Sequence, residues 1–141
     1  MKQREIKFRV WDKKFRKMYS DGISVQADGA FYLERADHDG NGIEIAESEH
    51  GELAIMQFTG LLDKNGREIY DGDVVMHYGG SPKIPDRRYV VEWHENVSGF
   101  LLVDKAKTKQ QTWWRDGSWL WRVSKYLEVI GNIHENPELI K

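Results

Sequence analysis

Hydrophobic and polar residues alternate along most of the chain with a period of two residues. Phe8 and Val10 alternate with Lys7 and Arg9, a pattern that is typical of a half-buried β-strand. Turn dipeptides such as Asp28-Gly29 separate segments of this kind. The alternation predicts strands at Ile6–Asp12, Lys17–Ser20, Ile23–Gln26, Ala30–Glu34, Ile43–Ala46, Ile55–Thr59, Arg67–Tyr70, Val74–Tyr78, Tyr89–His94, Phe100–Asp104, Trp119–Val123 and Glu128–His134.

Short strands joined by turns predict an all-β or β-dominated fold of antiparallel sheets, with a minor helical part at most. The pattern leaves room for a helical turn only at Ser124–Leu127 or Leu53–Gln57. The sequence contains no internal repeat and no domain-splitting linker, and 141 residues is an ordinary length for one domain. We therefore expect a single domain spanning residues 1–141.

The composition narrows the class of protein. Hydrophobic residues make up 40% of the chain and aromatic residues 12%, which excludes low-complexity disorder and collagen-like repeats. The absence of cysteine excludes disulfide scaffolds, thiolate catalysis and cysteine-based zinc sites. No apolar run is long enough for a membrane helix, and the N-terminus lacks the apolar core of a signal peptide. We therefore expect a cytoplasmic protein that does not bind a membrane.

The net charge of −2 hides an uneven distribution of charged residues. Residues 1–19, the basic block, carry eight lysines and arginines against two carboxylates, about +6. Residues 34–52, the acidic block, carry seven carboxylates against Arg35, about −6, and residues 105–125 are again basic, about +5. Such blocks are either the solvated sides of strands or surfaces that attract each other, within one chain or between copies of it.

Four segments of the chain resemble the YopX family of small proteins encoded by bacteriophages and prophages. They are Arg4–Asp12, the long central segment Met56–Val75, Val90–Trp93 and Glu128–Leu139. The resemblance implies a β-rich fold with an SH3-like barrel element and extra hairpins, expression inside a bacterial host cell, and a tendency to form homo-oligomers. It implies no activity and no catalytic or ligand-binding residues. Ranges 20–52 and 104–120 contain no family motif, so we expect them to be variable insertions in one YopX-like domain.

The central segment is rich in residues that turns require. Gly60, Gly66 and Gly72 stand where a turn needs a left-handed or closely packed backbone, and Asn65 tolerates the same conformation. Asp63 is placed to accept backbone N–H bonds inside its own turn. We assign these five residues to structural turns that fix strand register and need no ligand.

The segment Asp37–Gly42 is similar to the first half of a calcium-binding EF-hand loop, because Asp37, Asp39 and Asn41 place oxygen atoms at alternate positions. The twelfth position, where such a loop needs a bidentate glutamate, is Ser48. The flanking segments also predict strands instead of helices. A polar hairpin loop is the better interpretation, with weak calcium binding as the alternative, and we expect no resident metal or cofactor.

Motifs for catalysis are missing from the sequence. The five histidines show no zinc-binding spacing, and the chain contains no nucleophile elbow, phosphate loop or dinucleotide-binding loop. Asp71 and Asp73 are close in sequence, but a two-residue turn does not direct both carboxylates into one cleft. We therefore expect that the protein is not an enzyme.

Residues 105–122 combine tryptophans with basic residues. Adjacent Trp113 and Trp114 cannot both point inward from a strand, whereas Trp119 and Trp121 would share one face and are expected in the core. An interface between copies is the natural place for exposed tryptophan and arginine, and stacking of nucleic-acid bases is the alternative. The candidate contact residues are Trp113, Trp114, Arg115 and Arg122.

These observations lead to one functional hypothesis and one alternative. The leading hypothesis is a non-catalytic, homo-oligomeric interaction or assembly module that binds itself and a phage or host protein. The alternative is an accessory nucleic-acid-binding protein that uses the basic, tryptophan-rich surface 105–122.

Overall fold

The computed structural model describes residues 2–83, 85–105 and 120–141. Strands dominate these residues, every paired strand is antiparallel to its neighbour, and one sheet curls into a half-barrel, which confirms the predicted fold class. The chain divides into two compact units. We call residues 6–57 the N-terminal unit, and the described residues of 58–141 together with residues 2–5 the C-terminal unit.

The N-terminal unit contains two antiparallel arrangements of strands. Its elements are β1 Phe8–Asp12, β2 Lys17–Tyr19, β3 Ile23–Val25, β4 Phe31–Ala36, β5 Ile43–Glu47, a 3-10 helix at Ser48–His50, and the first half of β6 Leu53–Leu62. β1 lies between β2 and β6, and β4 lies between β3 and β5. Val10, Leu33 and Leu53 form the buried centre, with Phe31 and Ile55 packed against them. The alternation of side chains along each strand brings these residues to one side.

The C-terminal unit is built on a four-stranded antiparallel sheet. Its elements are the second half of β6, β7 Glu68–Tyr70, β8 Asp73–His77, β9 Arg87–His94, β10 Gly99–Val103, α1 Leu120–Val123 and β11 Leu127–Asn132, with 3-10 helices at Glu95–Val97, Ser124–Tyr126 and Pro137–Ile140. The strand order is β10-β9-β8-β11, and the second half of β6 pairs with β7. The core of this unit consists of Ile69, Val75, Tyr89, Val91, Leu102, Leu120, Leu127 and Val129.

Strand β6 is longer than the sequence pattern predicts, because it continues through Leu62 where we expected the approach to a turn. Its pairing with β7 shifts register between Phe58 and Leu62, and Gly60 has a φ of +85° inside this irregularity. Residues with a side chain rarely adopt that conformation, so glycine allows the strand to bulge and then continue.

The prediction of a strand at Trp119–Val123 is wrong, because Leu120–Val123 is a short α-helix. Leu120 is buried in the core and Val123 packs against it. A spacing of three residues is that of a helix face, and the burial of these two side chains decides the local structure. The positions of Trp119 and Trp121, two residues apart in the sequence, predicted the two-residue period of a strand instead.

The two helical turns that the pattern allowed have different outcomes. Ser124–Tyr126 is a 3-10 turn, as predicted, whereas Leu53–Gln57 lies in β6.

Range 20–52 holds the whole β3–β4–β5 sheet, and most of range 104–120 lies outside the described residues. That these ranges are insertions in a single domain stays a prediction.

Candidate interaction surfaces

The outer face of the β3–β4–β5 sheet exposes two isoleucines. Ile43 is 78% exposed and Ile45 is 63% exposed, whereas Leu33 on the other face lies in the buried centre of the N-terminal unit. A shallow groove of about 340 Å³ lies on the outer face, where Glu34 and Glu47 line it beside Ile45. β5 stands last in the sheet order, so within the described part of the chain no strand pairs with its outer edge. The result is an apolar and acidic surface on an edge strand.

The inner face of the same sheet buries Arg35, the only cation of the acidic block. Its Nη1 group pairs with the fully buried carboxylate of Asp12, and its Nε group lies 2.8 Å from Glu44 Oε1. Its Nη2 group lies 3.8 Å from Glu52 Oε2. Burial would lower the pKa of Arg35, but the hydrogen bonds with Glu44 and Asp12 raise it, so the guanidinium stays charged. Two carboxylates of the acidic block are therefore turned towards a buried cation of their own unit.

The hairpin loop between β4 and β5 uses a carboxylate oxygen and the backbone N–H of Asp37 for its own turn. Asp37 Oδ1 accepts the backbone N–H of Asn41 at 3.0 Å, and the Asp37 N–H donates to the carbonyl of Gly42 at 2.9 Å. Asp39 lies 3.2 Å from the Nδ1 atom of His38. Among the described residues, no group of three or more histidine, aspartate or glutamate side chains is placed to hold a metal ion. The use of Asp37 in its own turn favours the hairpin interpretation over the calcium alternative.

Asp63, a buried carboxylate, holds the turn between β6 and β7 to strand β11. Its Oδ1 atom accepts the N–H groups of Asn65 at 2.8 Å and Arg67 at 2.9 Å, and its Oδ2 atom accepts the N–H of Val129 at 2.9 Å. Burial would raise the pKa of Asp63, but these three backbone N–H groups lower it below its ordinary value. Asn65 keeps a negative φ, and Gly66 takes the left-handed conformation with a φ of +77°.

The next turn of the central segment is also held by backbone hydrogen bonds. Gly72 has a φ of +83°, its N–H donates to the carbonyl of Val91 at 2.7 Å, and its carbonyl accepts the N–H of Ile133 at 3.0 Å. The buried carboxylate of Asp73 accepts the N–H of Tyr70 at 2.8 Å. In the segment that resembles a known family, Asp63 and Asp73 therefore accept backbone N–H groups that hold the turns, whereas Glu68 accepts the hydroxyl of Tyr70.

Three exposed aromatic side chains of the C-terminal unit, which we call the aromatic surface, each have a cation over the ring. The distances to the ring centroid are 5.0 Å from Arg122 to Trp121, 5.2 Å from Lys125 to Tyr126, and 4.2 Å from Lys64 to Tyr78. Tyr126 and Tyr78 directly flank Leu127 and His77, which are paired between β11 and β8. The hydrogen bond between Tyr78 and Glu128 raises the pKa of Tyr78. Neither tyrosine stands out in the sequence, because only the pairing of β8 with β11 brings these two distant residues together.

The expected core position of Trp121 is wrong, because this side chain is 59% exposed. Helix α1 turns Leu120 inward and leaves Trp121 and Arg122 at the surface. Of the four contact candidates named from the sequence, Arg122 is placed by the structure. Trp113, Trp114 and Arg115, as well as Trp119, lie outside the described residues.

Asp71 is a half-buried carboxyl with a perturbed pKa. Burial raises the pKa of Asp71 and the charge of Glu92 raises it further, against a hydrogen bond from the backbone N–H of Trp93. Glu92 itself forms an ion pair with Lys105, whose Nζ atom lies 2.5 Å from Glu92 Oε1. The perturbed pKa of Asp71 therefore has a structural cause, its burial beside the ion pair of Glu92 and Lys105.

A cavity of about 290 Å³ lies on the sheet of the C-terminal unit, beside Leu139 and Ile140. Val90 contributes to its apolar floor, and both Arg88 and Asp104 line it. In the described part of the chain, the full lining carries four basic residues and two acidic ones, which are Arg87, Arg88, Lys105, Lys141, Asp86 and Asp104.

Comparison with known proteins agrees with the sequence resemblance. The model of the YopX family, described as YopX protein, matches residues 7–141. The fold is similar to that in the crystal structure of protein EF1440 from Enterococcus faecalis, with a TM-score of 0.61 and 22% sequence identity over 99% of this chain and 100% of that chain. At this identity the likeness concerns the fold alone. None of the curated proteins matches the chain. In the described residues, every helix is too short or too polar to cross a membrane.

Proposed function

We propose that this chain, which belongs to the YopX family, is a non-catalytic interaction module that assembles with copies of itself inside a bacterial host cell. The observation that carries the proposal is the exposure of Ile43 and Ile45 on edge strand β5. An exposed apolar edge strand invites pairing with another chain, and proteins that stay monomeric protect such edges. The family resemblance supports a phage or prophage origin and a further phage or host partner.

The other short edge strands of the N-terminal unit differ from β5. β2 and β3 have three residues each, and β2 begins with Lys17, a residue type that discourages edge pairing. β5 has five residues, among them Glu44 and Glu47, and contains no lysine, proline or glycine. Covering Ile43 and Ile45 in an interface would contribute roughly 1.5–3 kcal/mol for each side chain that becomes fully buried. Such a gain offsets part of the free energy that the association of two chains costs.

Light scattering with purified protein tests the proposal. The parent should give a mass that is a multiple of 16.5 kDa at tens of micromolar, and the double variant Ile43→Ser, Ile45→Ser should shift towards monomer. Ile6→Ser is the matched control, since Ile6 is 64% exposed and lies outside β5. Circular dichroism of each variant reports whether the strands persist. A monodisperse monomer for the parent refutes self-assembly.

The aromatic surface supports a second candidate function, binding of single-stranded nucleic acid. Exposed aromatic rings stack on bases while neighbouring cations contact phosphate, and such binding weakens as salt rises. Titration with single-stranded DNA at low salt should quench tryptophan fluorescence, and Trp121→Ser should weaken binding by about tenfold. Trp93→Ser is the matched control, because Trp93 is 51% exposed but packs edge-on against Phe100. Equal binding by both variants would exclude the aromatic surface as the site.

A further inference from the structure

We infer that the second copy binds through its own β5, in an antiparallel pair with Ile45 facing Ile45 across a two-fold axis. This inference rests on the proposed self-assembly and specifies its interface. Dimers with two-fold symmetry are the commonest assemblies of identical chains, and they require a surface that is complementary to itself. The backbone, the charges and the apolar side chains of β5 each meet that requirement.

The hydrogen-bond pattern of the hairpin shows which backbone groups of β5 point outward. The N–H of Asp37 donates to the carbonyl of Gly42 at 2.9 Å, so these two residues form a hydrogen-bonded pair. Hydrogen-bonded pairs alternate with non-hydrogen-bonded pairs along an antiparallel ladder. The backbone groups of Glu44 therefore point to β4, and those of Ile43 and Ile45 point away from it. A second strand can bond to these groups without any change in β5.

A centre of symmetry at Ile45 suits the side chains as well, whereas one at Ile43 would pair β5 with the loop before it and one at Glu47 would place two carboxylates opposite each other. An axis at Ile45 places Glu47 opposite Ile43 of the second copy and Glu44 opposite Ala46, so no carboxylate directly faces another. It also sets four isoleucines in a continuous strip, since diagonal neighbours on paired strands are in contact range. An axis at Glu44 would place two carboxylates opposite each other. An axis at Ala46 would require pairing beyond Glu47, where the strand gives way to a 3-10 helix.

The basic block of a second copy is a poorer occupant of this edge, although its charge is complementary. Its longer strand, β1, is already paired on both sides by β2 and β6. Its remaining strand, β2, has three residues against the five of β5. The two occupants predict opposite effects of salt. Joining two acidic blocks is helped by salt, which screens their repulsion, whereas an acidic–basic contact is weakened by salt.

Single-cysteine cross-linking tests the register, because the natural chain contains no cysteine. In a hydrogen-bonded antiparallel pair the Cα atoms are about 5.5 Å apart, within the range of about 4.4–6.8 Å that a disulfide spans. Ile45→Cys should therefore form a covalent dimer under mild oxidation at least tenfold faster than Ile6→Cys, a control with almost equal exposure (63% and 64%). Ile45→Lys should raise the dimer dissociation constant by about tenfold or more, and Ile45→Val should leave it near the parent value.

The outcomes separate this inference from the proposed function. If the parent is an oligomer but Ile45→Cys links no faster than Ile6→Cys, the β5 pair is overturned and self-assembly stands. Dissociation on addition of salt likewise overturns the β5 pair and favours the basic block as the occupant. If the parent is a monomer at every concentration, both are overturned. Fast linking of Ile45→Cys together with assembly that persists or strengthens in salt supports the pair.

Discussion

Replacing Asp63 by asparagine tests whether a charged acceptor holds the turn between β6 and β7 to β11. Asparagine keeps the size of the side chain but has one acceptor oxygen, so its NH₂ group must face either the N–H of Val129 or those of Asn65 and Arg67. A hydrogen bond to a charged group contributes about 1.5–3 kcal/mol net, and a buried donor left without a partner costs about 1–3 kcal/mol. Asp63→Asn should therefore lower the free energy of unfolding by about 2–4 kcal/mol, and Asp63→Ala by more.

The pH dependence of the same variant gives an independent test. The folded state lowers the pKa of Asp63, so the unfolded chain takes up a proton first as the solution is acidified. The ionised carboxylate thus stabilises the fold above about pH 4, and its contribution is lost as pH falls from there through the folded pKa. The difference in stability between parent and Asp63→Asn should shrink over this acidic range. Urea denaturation followed by circular dichroism at neutral pH and at several acidic values measures both quantities.

An exposed aspartate provides the control for these measurements. Asp86 accepts a single backbone N–H, that of Gly79 at 3.0 Å, and Asp86→Asn should change the free energy of unfolding by no more than about 0.5 kcal/mol. If Asp63→Asn stays within the same limit, or if its difference from the parent does not depend on pH below 4, the carboxylate does not hold the turn as argued.

Three further predictions concern the remaining turns and the buried arginine. Gly72→Val should lower the free energy of unfolding by about 1–3 kcal/mol, because valine is strained at positive φ, and equal melting of variant and parent would contradict the turn assignment. Arg35→Met should lower the free energy of unfolding by about 3–5 kcal/mol, because Asp12 then stays buried without its cation. A loss below about 1 kcal/mol in urea denaturation would show that Asp12 does not depend on Arg35. Millimolar calcium should not raise the melting temperature, because Ser48 stands where a calcium loop needs a bidentate glutamate and Asp37 Oδ1 already accepts the N–H of Asn41. A rise that Asp37→Ala abolishes would establish the calcium site.

Local sequence signals were sufficient for most of the strands and turns. Asp63 and Gly66 act within five residues of each other, and turn chemistry at that range follows from the residue types alone. The bond from Asp63 to Val129 spans 66 positions, and a single sequence contains no signal for it. The role of Asp63 in its own turn could therefore be predicted, whereas its attachment to β11 needed the structure.

The error at α1 has a different physical origin. Tryptophan favours strands, and Trp119 and Trp121 alternate, so propensity and period pointed the same way. The burial of Leu120 and the packing of Val123 on the core outweigh that preference. The intrinsic preference of a residue for strand or helix contributes less free energy than the burial of its side chain. A short segment with two competing patterns is therefore assigned correctly only when the core that it contacts is known.

The orientation of β5 depends on the buried charges and determines which side chains the proposed interface can use. Its alternation of isoleucine with polar residues would ordinarily place Ile43 and Ile45 inward, yet Glu44 faces the interior and both isoleucines face outward. Glu44 is paired across the sheet with Arg35, whose guanidinium is itself bonded to the buried Asp12. A slip of one residue in β5 would bury the isoleucines, but it would also remove the Glu44 carboxylate from the buried cation. The ion pair therefore fixes the register that leaves the isoleucines exposed, and self-assembly is the use that we propose for them.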